Sequence, residues 1–346
     1  DMAEEVFDDE PMQKRFEEAV AAENLPDKKP MEKKDTSEIV LKRHGSISPQ
    51  PVCEERRSGM MKVDINTKMI TLLGLPLTQS FAARMQNKGY EAAGLNMVYF
   101  YTETDNEHLG DIVNGLRYMN FAGFAVTKPN KVKVLEYLDE LDPLCQKMGS
   151  SNTVVKTPEG KLIGYNTDGV GFYTALTEEA GVKVDQCVFF CFGGGGAGRA
   201  MCSILAYHGA RKIYITDKFE GCAKSLVDDI NKNFAPVAEF VPYGDFSKLS
   251  ACDVVLNASG VGMGRSIGET PLPKEYMKPE QLYFDACYNP AKTQFLLDAE
   301  AKGCRILNGL GMSLYQGAAQ IELWTGKKAP VEAMREELLA ILAEKK

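Results

Sequence analysis

The feature that most narrows what this chain can fold into is a run of glycines set between a strand and a helix. The apolar segment Cys187-Val-Phe-Phe-Cys191-Phe192 leads straight into Gly193-Gly194-Gly195-Gly196-Ala197-Gly198, and Met201 to Tyr207 then reads as a helix. The next strand-like segment, Lys212-Ile-Tyr-Ile-Thr216, ends at Asp217. A strand, Gly-x-Gly-x-x-Gly, a helix, a second strand and an acid about twenty residues on form the pattern of a dinucleotide-binding βαβ unit. Glycines let the backbone approach a pyrophosphate, and the free N–H groups and positive end of the following helix hold its charge. A ligand-free tight turn fits four consecutive glycines poorly, because each costs conformational entropy on folding. Gly193, Gly195, Gly196, Ala197 and Gly198 are therefore cofactor-binding candidates. Asp217 is placed to accept hydrogen bonds from ribose hydroxyls and to repel a 2′-phosphate, so NAD is expected in preference to NADP. The competing reading of Asp217 is a solvated turn residue before Lys218.

A chain of 346 residues is too long for one average core and comfortable for two. Residues 1–66 are rich in Glu, Asp and Lys, with one helical stretch from Pro11, and read as an extension, an arm over the body or over a neighbouring subunit. A homodimer is one arrangement compatible with such an arm. From Met69 onward, short β-type runs alternate with amphipathic runs of helix length. Strands are expected at Met69–Gly74, Met97–Tyr101 and Gly123–Thr127, with helices at Phe81–Ala93 and Leu109–Met119, and together they imply a parallel α/β sheet. Further strands at Phe240–Tyr243, Asp253–Asn257, Leu282–Asp285 and Arg305–Asn308 extend the series begun at Cys187. The last segment, from Ser313, reads as two helices broken near Gly326 and Pro330 that pack back on the first domain. The expected fold class is thus α/β with two domains. An N-terminal catalytic domain (67–172 with 312–346) is joined to a Rossmann-like dinucleotide-binding domain (173–311).

The balance of 40 Lys+Arg against 48 Asp+Glu gives a net charge of −8, without the positive field that nucleic acid demands. No segment has the ~20 apolar residues that span a bilayer. The nine cysteines form no CxxC pair and only three histidines are present, so no metal site is expected. Most of the cysteines lie in apolar runs and read as buried thiols in a reducing cytoplasm.

Six further motifs succeed one another in collinear order: Gly123-Phe-Ala-Val-Thr127-Lys-Pro-Asn-Lys131, Ser151-Asn152-Thr153, Gly164-Tyr-Asn-Thr-Asp168-Gly169, Asp285-Ala286-Cys-Tyr288-Asn-Pro290, Gly309-Leu-Gly-Met-Ser-Leu-Tyr-Gln316-Gly and Leu-Trp324-Thr-Gly326-Lys. Together they resemble the shikimate dehydrogenase family, most closely its quinate/shikimate branch, over about residues 69 to 335. The resemblance implies oxidation of a ring alcohol on a cyclic hydroxy acid, shikimate to 3-dehydroshikimate or quinate to 3-dehydroquinate. It implies Lys131 and Asp168 as the catalytic pair. A lysine that moves the hydroxyl proton suits that chemistry, and a neighbouring carboxylate orients it and favours its ammonium form. It implies Ser80, Thr127, Asn152, Tyr288 and Gln316 as substrate-binding residues, and Ala286 and Gly309 on the cofactor side. Read without the resemblance, Lys131 is a solvated surface lysine, Asp168 a glycine-flanked loop residue capping the Gly-Val-Gly-Phe stretch after it, and Asn152 and Thr127 partners of local backbone.

Two departures from the family pattern stand out. Where the family carries His-Ser-x-Ser-Pro, this chain reads Gln79-Ser80-Phe81-Ala82-Ala83, and Ala125 replaces an asparagine before Val-Thr. Arg84 would compensate for the lost serine if it turned inward. Two alternatives arise: a dehydrogenase for an altered analogue, such as an aminated or less hydroxylated acid, and a homologue that binds NAD and ligand without turnover. Gly169, Gly171 and Gly311, near the crossovers between domains, would permit hinge motion.

Overall fold

A computed structural model of the chain describes residues 63–78 and 80–344. The extension and its helix from Pro11 lie outside them except for residues 63–66. There the Thr67 N–H donates to the Asp64 carbonyl (3.1 Å) in a short turn.

The first series of elements is β1 (Lys68–Gly74), α1 (Ala82–Ala92), β2 (Met97–Glu103), α2 (Leu109–Tyr118), β3 (Phe121–Val126), β4 (Glu140–Leu141), α3 (Pro143–Met148), β5 (Thr153–Lys156), β6 (Leu162–Tyr165) and α4 (Thr167–Thr174). Its strands form a six-stranded sheet in the order β2-β1-β3-β5-β6-β4. The three strands expected here are parallel, but the sheet as a whole is mixed. β1 runs parallel to β2 and β3, and β4 to β6, but β5 is antiparallel to both β3 and β6. The cause is local: parallel neighbours need a crossover of a dozen or more residues, and only residues 157–161 separate β5 from β6. The Thr157 N–H donates to the Lys161 carbonyl (2.9 Å), and Gly160 takes φ +86° to close the hairpin.

The second series is β7 (Val188–Phe192), α5 (Gly196–Tyr207), β8 (Lys212–Thr216), α6 (Glu220–Asn233), β9 (Ala238–Phe240), β10 (Val254–Asn257), β11 (Leu282–Asp285), α7 (Gln294–Ala301), β12 (Arg305–Asn308), α8 (Leu310–Thr325) and α9 (Val331–Glu344). This sheet runs β12-β11-β10-β7-β8-β9 with every pairing parallel. Strand order reverses between β7 and β10, which is where a doubly wound sheet opens a ligand crevice at its carboxyl edge. The strand expected over Phe240–Tyr243 ends instead at Phe240, since Pro242 has no N–H for the ladder. The helix expected from Met201 begins at Gly196.

Both faces of each sheet are covered. On one face of the first sheet Ile70, Leu72, Tyr99 and Ala125 pack against Met85, Ile321, Trp324, Met334 and Leu338, so α8 and α9 return to this sheet. Leu73, Phe124 and Val126 fill the opposite face beneath Leu109 and Val113 of α2. Gly326 ends α8 in the left-handed conformation (φ 65°), and Pro330 precedes α9. Among the described residues no helix is long and apolar enough to cross a membrane, and none of the described cysteines is in a disulfide. Burial pushes the Cys145 and Cys252 thiols up to about 12, which keeps them in the unreactive thiol form.

Helix α4 joins the two sheets. Phe172 meets Phe284 of β11 edge-on (centroids 4.9 Å apart), while the other side of α4 lies against α8. At the crossing, a Cβ on Gly171 would sit 2.5 Å from both the Met312 carbonyl oxygen and the Gln316 nitrogen. These are backbone atoms that cannot turn aside, so the helices approach this closely only over glycine. Gly171→Ala is therefore expected to destabilise the protein by about 1–3 kcal/mol, the usual cost of overpacking. Chemical denaturation reads this as a lower midpoint at unchanged slope, and an unaltered midpoint would refute the close crossing.

Candidate active site

A cavity of about 250 Å³ is lined by Ser80, Thr127, Lys131, Asn152, Asp168, Tyr288 and Gln316, with Ala197 from the first turn of α5 and Ala286 from the loop after β11. All the residues expected to touch substrate thus meet at one place. Lys131 is carried by the turn that follows β3. The Thr127 N–H donates to the Leu73 carbonyl (2.8 Å) and the Asn130 N–H to the Thr127 carbonyl (2.9 Å). The buried Asn130 side chain donates to the Thr104 carbonyl (2.9 Å), anchoring the turn on the residue that follows β2. The Ser151 N–H then donates to the Lys131 carbonyl (2.8 Å).

Lys131 Nζ donates to Asp168 Oδ2 at 2.6 Å, with both side chains partly shielded (32% and 18% exposed). Asp168 is not the loop residue expected from its flanking glycines: it stands in the first turn of α4, whose positive end favours a carboxylate. Nor does it cap that helix. Asn166 does so, its Oδ1 accepting from the Gly169 N–H. The other oxygen of Asp168 accepts from Asn152 Nδ2 (2.9 Å), which also reaches Gln316 Oε1 (3.4 Å). Asn152 Oδ1 accepts from the Thr167 N–H (2.7 Å) and the Thr153 hydroxyl (2.9 Å). Local structure and substrate-facing geometry are thus carried by one carboxamide.

Tyr288 lies on the loop after β11. Asp285, completely buried, accepts from the Cys287 N–H (2.9 Å), Asn257 Nδ2 (3.0 Å) and the Thr293 hydroxyl (2.5 Å), and so sets the path of that loop. Burial pushes the Asp285 carboxyl up and also raises the Tyr288 phenol, which therefore stays a hydrogen-bond donor near neutral pH. Arg84 does not turn inward: it pairs with Glu337 (2.7 Å) and Glu344 (2.5 Å) of α9. Ala82 and Ala125 line the cavity without polar atoms of their own, and among the described residues Lys131 and Asp168 are its charged side chains. Gln320 was not anticipated. It lines the cavity one helical turn beyond Gln316, and its Nε2 donates to the Thr153 hydroxyl (2.9 Å). A glutamine pair at i, i+4, which places both side chains on one face of the helix, was the available signal.

Gly193, Gly195, Gly196 and Gly198 follow β7 at the point where strand order reverses. Gly193 has φ +107°, and a Cβ on Gly198 would lie 1.9 Å from the Gly193 carbonyl oxygen. A Cβ on Gly194 would lie 2.7 Å from the Cys222 carbonyl carbon and 2.8 Å from the Ala223 nitrogen. Packing therefore accounts for these three glycines. It does not account for Gly195 and Gly196, whose Cβ positions have nothing within 4 Å, nor does any side chain cap the first turn of α5. An open glycine edge beside free N–H groups fits a pyrophosphate. Asp217 is not a loose turn residue: its carboxylate accepts from the Gly194 N–H (2.7 Å) and the Phe219 N–H (2.8 Å). Gly309 is obligatory where β12 meets the loop after β11, since a Cβ there would lie 2.0 Å from the Ala286 carbonyl oxygen.

Comparison with known proteins places the whole described body of the chain beside one family. The family model for the shikimate dehydrogenase substrate binding domain matches residues 72–154, and the shikimate 5′-dehydrogenase C-terminal domain matches residues 309–339. Shikimate dehydrogenase (NADP(+)) of Desulforamulus reducens is 38% identical over 284 residues, covering 81% of this chain and 97% of the relative. Shikimate 5-dehydrogenase from Listeria monocytogenes, solved in complex with shikimate and NAD, superposes with a TM-score of 0.77 at 36% identity, covering 81% of this chain and 99% of that one. Quinate dehydrogenase from Corynebacterium glutamicum, solved with NAD, superposes at 0.74 and 29% identity, covering 79% and 99%. By these similarities the chain belongs to the shikimate dehydrogenase family.

Proposed function

We propose that this protein is a nicotinamide-dependent dehydrogenase that interconverts a ring secondary alcohol and its ketone on cyclic hydroxy acids of the shikimate or quinate type. The observation that carries the reading is the 2.6 Å contact between Lys131 Nζ and Asp168 Oδ2, inside a cavity that the glycine-loop side also lines through Ala197. In this reading residues 67–172 and 312–346 form the substrate domain and residues 173–311 the dinucleotide domain. The free, largely buried thiols suit a reducing cytoplasm.

A bound nicotinamide dinucleotide supplies the hydride acceptor for alcohol oxidation and the hydride donor for ketone reduction. Gly193, Gly195, Gly196, Ala197 and Gly198 would hold its pyrophosphate, Asp217 its ribose, and Ala286 and Gly309 would serve its nicotinamide end. Lys131 moves the proton: its ammonium protonates the oxygen of a ketone being reduced, and the same nitrogen takes the hydroxyl proton in the reverse direction. Asp168 orients that nitrogen and balances its charge. Asn152, Thr127 and Gln316 hold ring hydroxyls, and Ser80 and Tyr288 serve the carboxylate end. A binding protein without turnover has no need of an oriented lysine–aspartate pair in its ligand cavity.

One observation favours a second reading within the same chemistry. Ala82 and Ala125 offer no donor at the cavity wall, and Arg84 is engaged by α9. This suits an analogue with fewer polar groups at that end. Initial rates on shikimate, quinate and aminated or deoxygenated analogues separate the two readings by rank order of kcat/KM.

Lys131→Ala and Asp168→Asn are each expected to cut kcat by about 10²-fold or more, the usual cost of losing a general acid–base group. Dinucleotide binding, followed by fluorescence, should persist in both variants. Near-normal turnover in either variant removes that residue from the reaction. NAD is expected to give a higher kcat/KM than NADP, because the Asp217 carboxylate would face a 2′-phosphate with like charge. Equal use of both cofactors by the wild-type enzyme would contradict that placement.

A further inference from the structure

The turn that delivers Ser80 to the cavity is held from outside by a side chain that the reaction itself does not use. Helix α1 opens with Phe81, Ala82 and Ala83, none of which has a side-chain oxygen for the exposed N–H groups of the first turn. Two hydroxyls take over that task. Ser80 Oγ accepts from the Ala82 N–H (3.3 Å), and the Tyr101 hydroxyl accepts from the Ala83 N–H (3.0 Å). The same tyrosine donates to the Ser80 carbonyl (2.9 Å), so one oxygen bridges the residue before the helix to the helix itself. Two positions further along β2, on the same face, Glu103 Oε1 accepts from the Leu77 N–H (2.9 Å) and fixes the start of the loop.

We propose that Tyr101 is a positioning residue for the carboxylate end of the substrate: its hydroxyl fixes the Ser80 turn so that the Ser80 hydroxyl points its proton at the acid. The proposal rests on the functional reading above. With the Ala82 N–H occupying one lone pair of Ser80 Oγ, the hydroxyl proton remains to be donated. With alanine at position 82, Ser80 is the serine left in this turn, so the direction of its single O–H matters more than it would beside a second donor. Tyr101 is 37% exposed, so water can replace its hydroxyl bonds when they are lost. The loss therefore falls on the placement of Ser80 and not on folding.

Steady-state kinetics of Tyr101→Phe test this, because the ring is kept and only the bridging oxygen is removed. The KM for shikimate or quinate is expected to rise about three- to tenfold, the worth of roughly one hydrogen bond. kcat, the KM for the dinucleotide and the thermal midpoint should stay at wild-type values, since the acid lies away from the reacting carbon and is held alike in ground and transition states. An alcohol analogue with CH2OH in place of the carboxylate should show no rise in KM. An unchanged KM for the acids, or an equal rise for the acid and the alcohol analogue, overturns the positioning role while the dehydrogenase reading stands. A wild-type enzyme inert toward every cyclic acid overturns the dehydrogenase reading, and this one with it.

Discussion

The site is organised around the buried carboxamide of Asn152. It is 3% exposed, and both of its polar atoms are committed. The oxygen receives the Thr167 N–H at the start of α4, and the nitrogen donates to Asp168 one residue later. A side chain that both accepts and donates is required here. A carboxylate would repel Asp168, and a hydroxyl could not span the two partners at once. Its backbone is fixed as well: the Val126 N–H donates to its carbonyl (2.8 Å), and its own N–H donates to the Tyr165 carbonyl (3.1 Å). Since the preceding residue, Ser151, holds the Lys131 carbonyl, one short stretch places both members of the lysine–aspartate pair. The separation of Nζ and Oδ2 is thus set by the first turn of α4 and by the hydrogen-bonded turn after β3 that Ser151 holds.

Much of this was legible in the sequence because the signals are local. A glycine pattern after an apolar strand, periodicity that switches between two and 3.6, and an acid at the next strand end located the second sheet and its crevice. What was illegible depended on tertiary contacts. Gly169 and Gly171 read as loop residues and hinge points because glycine is a poor helix former, yet both lie in α4. A Cβ at Gly169 would lie 2.9 Å from Met148 Cε and 3.2 Å from the Ala200 carbonyl oxygen. A Cβ at Gly311 would lie 3.0 Å from Ala175 Cβ and 2.7 Å from the Glu179 carboxylate. Close packing of helices, not freedom of the backbone, selects glycine at these places. The antiparallel β5–β6 hairpin escaped for a different reason: its Pro158-Glu-Gly160 turn was present, but the alternation of strands and helices around it suggested a uniformly parallel sheet. Arg84 was undecidable from sequence, because its partners Glu337 and Glu344 lie more than 250 residues away.

The cavity is chemically divided. Lys131, Asp168, Asn152 and Gln316 make one end polar and charge-balanced, while Leu72, Ala82, Met85, Ala125 and Leu338 make the wall behind it apolar. A ring that enters with its reacting hydroxyl toward Lys131 must place its other substituents against that wall or against Ser80 and Tyr288. Each polar substituent that reaches the wall without a donor costs about 1–3 kcal/mol of lost hydration. Selectivity among cyclic acids is therefore set as much by the groups this cavity fails to satisfy as by those it binds.

The same logic of fixed partners applies to Asp217. Its two hydrogen bonds from backbone N–H groups hold the glycine loop to the end of β8, so its charge serves the loop before any ligand arrives. Bonds to a charged acceptor are worth about 1.5–3 kcal/mol each, so swinging the carboxylate aside to admit a 2′-phosphate would sacrifice stabilisation that the loop itself needs. In the reading proposed above, leaving it in place would set two anions against each other at the ribose. A neighbouring cation could offset the repulsion, and Lys218 stands beside it in sequence, but a lysine there must give up its own hydration to do so. In the reading proposed above, loop architecture and cofactor choice would be tied to one side chain. A change of cofactor preference would require a new partner for the Gly194 N–H as well as a new charge at position 217.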